Sequence, residues 1–95
     1  MKLKVIGVCG MGLGTSLLLL SEVESIARKY GVEIEGEVVD LGSVRGKTCD
    51  VIISSSEIAK ELKDLKIPII EIKNMLDKRE IEAKVKEFIE SIRKS

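Results

Sequence analysis

The residues best suited to chemistry in this sequence sit together near its start, in Val8-Cys9-Gly10-Met11-Gly12-Leu13-Gly14-Thr15-Ser16. A thiol is followed by glycines at alternate positions and then by two hydroxyls. Such glycines let the backbone curl so that successive N–H groups point inward. A helix opening near Thr15 adds its unpaired N–H groups and a partial positive charge. The pattern predicts an anion nest of the kind that holds a phosphate, made by Gly10, Met11, Gly12, Leu13, Gly14, Thr15 and Ser16. A thiol at the mouth of that nest has its pKa lowered, because the same dipoles stabilise the thiolate. Cys9 is therefore a candidate nucleophile with a phosphate-shaped site around it. The competing reading is a buried cysteine that ends a core strand, with the glycines serving a tight turn.

Three known loops bear comparison. A nucleotide P-loop needs G-x-x-x-x-G-K-[ST]; Gly7 and Gly12 have the glycine spacing, but Leu13 replaces the lysine. A dinucleotide fingerprint G-x-G-x-x-G needs glycine or alanine where Thr15 stands, and 95 residues leave no room for a substrate domain. Asp40, at the end of the second strand, could imitate the ribose-binding acid of that fold, or simply cap its own strand. Cysteine phosphatases use C-x-x-x-x-x-R, whose arginine clamps the phosphate and stabilises the transition state through bidentate hydrogen bonds. Here the sixth residue after Cys9 is Thr15. Thiol and cradle without the arginine can accept and hold a phosphoryl group while hydrolysing it poorly, which is what a carrier needs.

The elements that position this loop follow from hydrophobic spacing. Lys2 to Val8 is an apolar, β-branched run ending at the glycines, a buried strand. Thr15 to Tyr30 carries Leu19, Leu20, Val23, Ile26, Ala27 and Tyr30 at helical spacing, and Gly31 stops it. Val32 to Val39 alternates as a second strand, interrupted by Gly36, and Asp40 to Thr48 reads as a loop. Asp50 to Ser54 holds Val51-Ile52-Ile53, apolar on both faces as central parallel strands are. Ser54 with Glu57 gives a capping-box pattern that opens a helix to about Leu65. Ile67 to Ile72 is the fourth strand, opened by Pro68 where a missing N–H is tolerated. Asn74 or Asp77 caps a last helix with Ile81, Val85, Phe88, Ile89 and Ile92 on its apolar face.

The order β-α-β-loop-β-α-β-α implies an α/β fold, a single-domain, doubly wound, four-stranded parallel sheet flanked by helices. Right-handed crossovers give the strand order 2-1-3-4, with the phosphate-binding loop after strand 1, at the edge where such sheets bind ligands. No linker, repeat or low-complexity segment divides the chain, so one domain over residues 1–95 is expected.

Composition removes several functions. Lysine plus arginine balances aspartate plus glutamate at 16 each, and one Tyr, one Phe and no Trp leave no stacking surface, so nucleic-acid binding is not expected. With no histidine and two cysteines, neither a metal site nor a disulfide framework is expected. No cofactor is called for. The apolar stretch up to Leu20 superficially imitates a signal peptide, but glycines and Thr15-Ser16 interrupt it and no small-x-small cleavage site follows. No apolar run approaches the roughly 20 residues that span a bilayer, so a cytoplasmic protein without membrane insertion is expected.

Other candidates have simpler readings. Cys49 opens the third strand, at the far end of the sheet from Cys9 and out of disulfide reach. Ser54, Ser55 and Ser56 lie at the active edge and could donate to a phosphate, though capping explains Ser54. Lys73 and Asn74 end the fourth strand on that edge, where capping again suffices. Arg45 and Lys47, in the second loop, could stand in for the missing arginine or simply be solvated.

The Cys9–Ser16 loop resembles the active loop of the IIB components of the bacterial phosphoenolpyruvate-dependent sugar phosphotransferase system. The galactitol/ascorbate group is the nearest match, where C-G-x-G-x-G-[ST]-S follows the first strand. Two later segments resemble ascorbate-type members: Asp50-Val51-Ile52-Ile53-Ser54-Ser55-Ser56-Glu57-Ile58-Ala59 and Lys73-Asn74-Met75-Leu76. The resemblance implies a phosphoryl carrier that takes phosphate from a phosphohistidine of the IIA component. It would hold the group as phosphocysteine on Cys9 and pass it to sugar bound by the membrane IIC component. Residues 10–16 would be the phosphate-binding loop, with Met11 and Leu13 at a rim that IIA or IIC could touch. The absence of histidine fits, because donor and acceptor both lie on partners. The rivals are a small cysteine-dependent phosphatase and an anion-binding regulatory domain without covalent chemistry.

Overall fold

Val, Ile and Leu alternate along four short segments, and each alternate set enters a different layer of the molecule. A computed structural model describes residues 2–9, 13–74 and 76–94, the side chains of 9 and 13–16 excepted. The strands are β1 (Lys2–Cys9), β2 (Glu33–Asp40), β3 (Val51–Ser55) and β4 (Ile69–Ile72). The helices are α1 (Leu13–Lys29), α2 (Ser56–Glu61) and α3 (Lys78–Lys94), with a 3-10 turn at Val44–Gly46. All pairings are parallel and the strand order is β2-β1-β3-β4, as the crossover argument expects.

On one face of the sheet, Val5, Val51, Ile53, Ile70 and Ile72 pack against Leu19, Leu20, Val23 and Ile26 of α1 and Ile81, Val85 and Ile89 of α3. On the other, Ile6, Val8 and Ile52 pack against Val44 and Leu62, with Ile58 of α2 at the margin. Both faces of β3 are thus covered, which accounts for its unbroken apolar run. The charged edge strand β2 alternates Glu33, Glu35 and Glu37 with less polar residues, a pattern that discourages pairing with another sheet edge.

Two glycines set how closely α1 approaches the sheet. A Cβ on Gly7 would lie 3.5 Å from Leu20 Cγ, and one on Gly36 3.4 Å from Leu20 Cδ1. Leu20 therefore sits in a notch between β1 and β2, just inside the N-terminal half of the helix. Gly7→Ala makes only ordinary contact. Gly7→Val adds methyl groups against Leu20, should cost about 1–3 kcal/mol in denaturant unfolding, and pushes the start of α1 away from the end of β1. At its other end α1 closes in a Schellman motif. Gly31 takes φ 76°, Val32 N donates to Ala27 O at 2.9 Å and Gly31 N to Arg28 O at 3.1 Å.

Several element ends differ from the sequence expectation. α1 begins at Leu13 instead of Thr15, so Leu13, Gly14, Thr15 and Ser16 form its first turn instead of a preceding loop. β2 runs on through Asp40, and β4 starts at Ile69, with Pro68 contributing only its carbonyl, which accepts from Ile52 N at 2.9 Å. The capping box at Ser54 does not form. Ser54 pairs with Glu71 and Ser55 with Ile72, which keeps both serines in β3. Ser54 is buried, its Oγ donating to Ser55 O at 3.2 Å, and α2 opens one residue later from Ser55 without a side-chain cap. For α3, Asp77 is the cap: its Oδ1 accepts from Arg79 N at 3.0 Å and Glu80 N at 3.3 Å. Asn74 makes a smaller turn, its Oδ1 accepting from Leu76 N at 3.0 Å.

Candidate phosphate-binding site

β1 is a central strand, and its last residue is Cys9. In register Cys9 stands beside Asp40, the last residue of β2. On the other side Gly7 is level with Ile53, so carrying that register two residues on sets Cys9 level with Ser55 at the end of β3. Three residues separate Cys9 from Leu13, where α1 opens. The backbone N–H groups of that first turn lack intrahelical acceptors, and no acidic residue occupies it to neutralise the helix dipole. The described backbone therefore ends a buried strand a short distance before a helix whose first turn carries no acidic residue. Gly10, Met11 and Gly12 lie outside the described residues, as do the side chains of Cys9, Leu13, Thr15 and Ser16.

The other candidates resolve clearly. Asp40 is a strand-end cap: its Oδ1 accepts from Ser43 N at 3.2 Å, and that hydrogen bond holds its carboxyl below the usual carboxylate range. Arg45 is not available to a phosphate at the loop. Its guanidinium is bound to the Asp64 carboxylate and donates to Glu61 O at 3.1 Å, at the C-terminal end of α2. That helix starts at the carboxyl edge and leads away from it. Lys47 Nζ is 3.0 Å from Glu37 Oε1, on the middle of β2. Both cations hold the second loop to its neighbours. Arg45→Ala and Lys47→Ala should accordingly leave phosphate acceptance within about twofold of wild type, measured as initial phosphorylation rate, since exposed ion pairs are worth little even to stability.

At the edge of β4, Lys73 N and Asn74 N both donate to the Glu80 carboxylate, which folds the β4–α3 connection onto the start of α3. Cys49 lies before β3, half-buried beside the second core layer, where Asp50 N donates to Lys4 O at 2.9 Å. Lys4 belongs to the amino-terminal half of β1, so Cys49 is at the edge opposite Cys9. Burial first, and the charge of Asp50 second, push its thiol pKa up. The native state thus keeps a proton that the unfolded chain loses first. Its contribution is full below the unfolded pKa and is lost as pH rises through the folded one. Iodoacetamide at pH 7 should therefore label Cys9 well before Cys49, with Cys49 reacting only as the solution becomes alkaline; peptide mapping reads the order.

Among the described residues no group of His, Cys, Asp or Glu could hold a metal ion, and no helix is long and apolar enough to cross a membrane. The roomier surface hollows, one beside Gly31–Ile34 and one beside Ile69–Glu71, lie away from Cys9 and bring together no such chemistry.

A four-stranded 2-1-3-4 parallel sheet flanked by helices, whose first strand ends in a cysteine shortly before the first helix, defines a class of small α/β domains. Comparison with known proteins makes the class specific. The family model for the lactose/cellobiose-specific IIB subunit of the PTS system matches residues 4–87. The ascorbate-specific PTS system EIIB component of Mycoplasma pneumoniae is 34% identical over 82 residues, covering 83% of this chain and 86% of that protein. The chain belongs to the IIB family of the sugar phosphotransferase system. Two solved structures share its fold. The lactose-specific IIB component domain from Streptococcus pneumoniae has a TM-score of 0.59 at 19% identity, over 95% of this chain and 97% of that one. An Enzyme IIB subunit of a PTS system from Escherichia coli has a TM-score of 0.57 at 21% identity, over 98% and 94%. Membership carries a role in phosphoryl transfer for sugar uptake, in a partnership with IIA and IIC components, and disfavours the cysteine phosphatase.

Proposed function

We propose that this chain is a cytoplasmic phosphocysteine carrier whose acceptor atom is Cys9 Sγ. The observation that carries the reading is the position of Cys9 at the end of a central strand, four residues before the first residue of α1, whose first turn has no acidic residue. In the first step the Cys9 thiolate attacks the phosphorus of a phosphohistidine on IIA. The S–P bond forms as the P–N bond breaks, and the imidazole leaves with the bonding pair. In the second step a hydroxyl of the sugar bound by IIC attacks the same phosphorus. The S–P bond breaks, Cys9 leaves as thiolate, and the hydroxyl proton passes to water.

Both steps are in-line displacements with charge spread over three equatorial oxygens, so catalysis is positioning plus electrostatic stabilisation. Residues 10–16, including the N–H groups of Leu13, Gly14, Thr15 and Ser16, would bind those oxygens. The dipole of a 17-residue helix acts as about half a unit of positive charge there. It stabilises the thiolate as leaving group and the transferring phosphoryl group alike. Without an arginine in the loop, the phosphocysteine is shielded from rapid hydrolysis and survives until the acceptor docks.

The test is a reconstituted relay of phosphoenolpyruvate, the general phosphotransfer proteins, a cognate IIA and vesicles bearing IIC. Sugar phosphorylation should depend on added chain in catalytic amounts. Turnover of a simple phosphate ester by the chain alone, lost on Cys9→Ala, would instead make it a phosphatase.

A further inference from the structure

Cys9 has a strand on each side, and the residue level with it on one of them is charged. The register pairs Cys9 with Asp40, the last residues of β1 and β2, so their backbones lie one strand spacing apart, about 4.8 Å. Residues level with one another on neighbouring strands also share a face of the sheet. On the other side β3 ends in the uncharged Ser54 and Ser55.

Asp40 is exposed, and its carboxyl is anionic at neutral pH. The hydrogen bond from Ser43 N engages Oδ1 but leaves the charge in place. None of the ion pairs among the described residues includes Asp40. The other charges towards this edge are Glu57 in the first turn of α2, Glu71 on β4, and Lys73 and Glu80 beyond it. Glu22 of α1 is paired with Lys78 of α3. None of these is in register with Cys9, and the first turn of α1, Leu13 to Ser16, carries no charge. Capping explains why position 40 accepts a hydrogen bond, but asparagine would serve the same turn without a charge.

Phosphorylation increases the negative charge at Cys9, from about −1 for a thiolate to about −1.5 to −2 for a phosphate monoester. A fixed carboxylate one strand away therefore opposes the phosphorylated state more than the free thiolate. The start of α1 acts in the other direction, and a phosphoryl group held too well is not passed on. We propose that Asp40 sets the transfer potential of the group on Cys9, its carboxylate destabilising phosphocysteine relative to thiolate and so favouring release to the acceptor. Asp40 acts through Cys9 and is a positioning residue. The assignment rests on the carrier reading and adds what keeps the phosphorylated state from becoming a trap.

The test is the equilibrium constant for phosphoryl exchange between phosphorylated IIA and the chain, read by intact-protein mass spectrometry. An equilibrium constant is blind to how the two proteins dock. Wild type is compared with Asp40→Asn, Asp40→Ala and Glu35→Gln, and thermal melting follows the fold of each. Asp40→Asn keeps the oxygen that accepts from Ser43 N. It should shift the equilibrium towards phosphocysteine about threefold to tenfold at low ionic strength, and far less in about 1 M salt. Asp40→Ala should shift it equally, although loss of the cap lowers its melting temperature. Glu35→Gln removes the same charge from β2 at a position level with Lys4 and should leave the equilibrium unchanged. A wild-type equilibrium in Asp40→Asn at low salt overturns the assignment. So does an equal shift in Glu35→Gln, or a shift in Asp40→Ala alone, which would make Asp40 a cap and nothing more. Failure of the carrier reading looks different: wild type then gains no phosphate although IIA is fully phosphorylated, and the assignment of Asp40 falls with it.

Discussion

Cys9→Ser reduces phosphoryl acceptance from IIA to background, whereas Cys49→Ser leaves it at the wild-type rate. The contrast follows from where each residue lies. Cys9 ends a central strand shortly before the N-terminus of α1, a place where dipoles favour the anion. Cys49 is at the opposite edge, half-buried, with its thiol pKa pushed up by burial. Serine preserves the size of the side chain but not its chemistry. Its hydroxyl stays protonated at neutral pH, the sequence has no histidine to act as its base, and the helix dipole alone cannot make it a nucleophile. Label incorporated per mole of chain, with phosphorylated IIA in excess, reads the difference. An anion-binding domain without covalent chemistry would instead treat the serine variant as wild type.

Ile53→Ala should lower stability by about 2–5 kcal/mol, a large part of the roughly 5–15 kcal/mol that holds a domain together. Ile53 is completely buried in β3 beneath the α1/α3 layer, and it pairs in register with Gly7 of β1 and Ile70 of β4. Removing its branched side chain opens a cavity that neither neighbouring strand can close without shifting the sheet. Urea unfolding should show a lower midpoint with an unchanged slope. Leu18→Ala, at an exposed site on α1, should move the midpoint hardly at all, within about 0.5 kcal/mol. The pair separates burial from hydrophobicity as the source of stability.

The legible parts of this fold are those fixed by local pattern. The β-branched runs, the helical spacing of Leu19, Leu20, Val23 and Ile26, and the Gly31 stop all appear as elements, and crossover handedness yields the observed 2-1-3-4 order. Ser54 shows where local pattern loses. Ser-x-x-Glu is a sound helix-opening signal, but pairing with Glu71 on β4, seventeen residues away, keeps Ser54 in the strand. Arg45 is similar: its partners Asp64 and Glu61 are distant in sequence, so its role as a tether is invisible until α2 is placed. At the site, residue types alone single out Cys9 and the glycines after it. The place of Asp40 beside Cys9 has no such signal, because only the strand register brings the two residues together.

Intact-protein mass spectrometry tests the central claim most directly. The chain is incubated with phosphoenolpyruvate, the general phosphotransfer proteins and a cognate IIA, then weighed and mapped by peptide. A gain of one phosphoryl mass, dependent on IIA and located on the peptide containing Cys9, is the predicted result. No gain, or a gain on any other residue while every upstream protein is demonstrably phosphorylated, would contradict the assignment of Cys9 as the carrier.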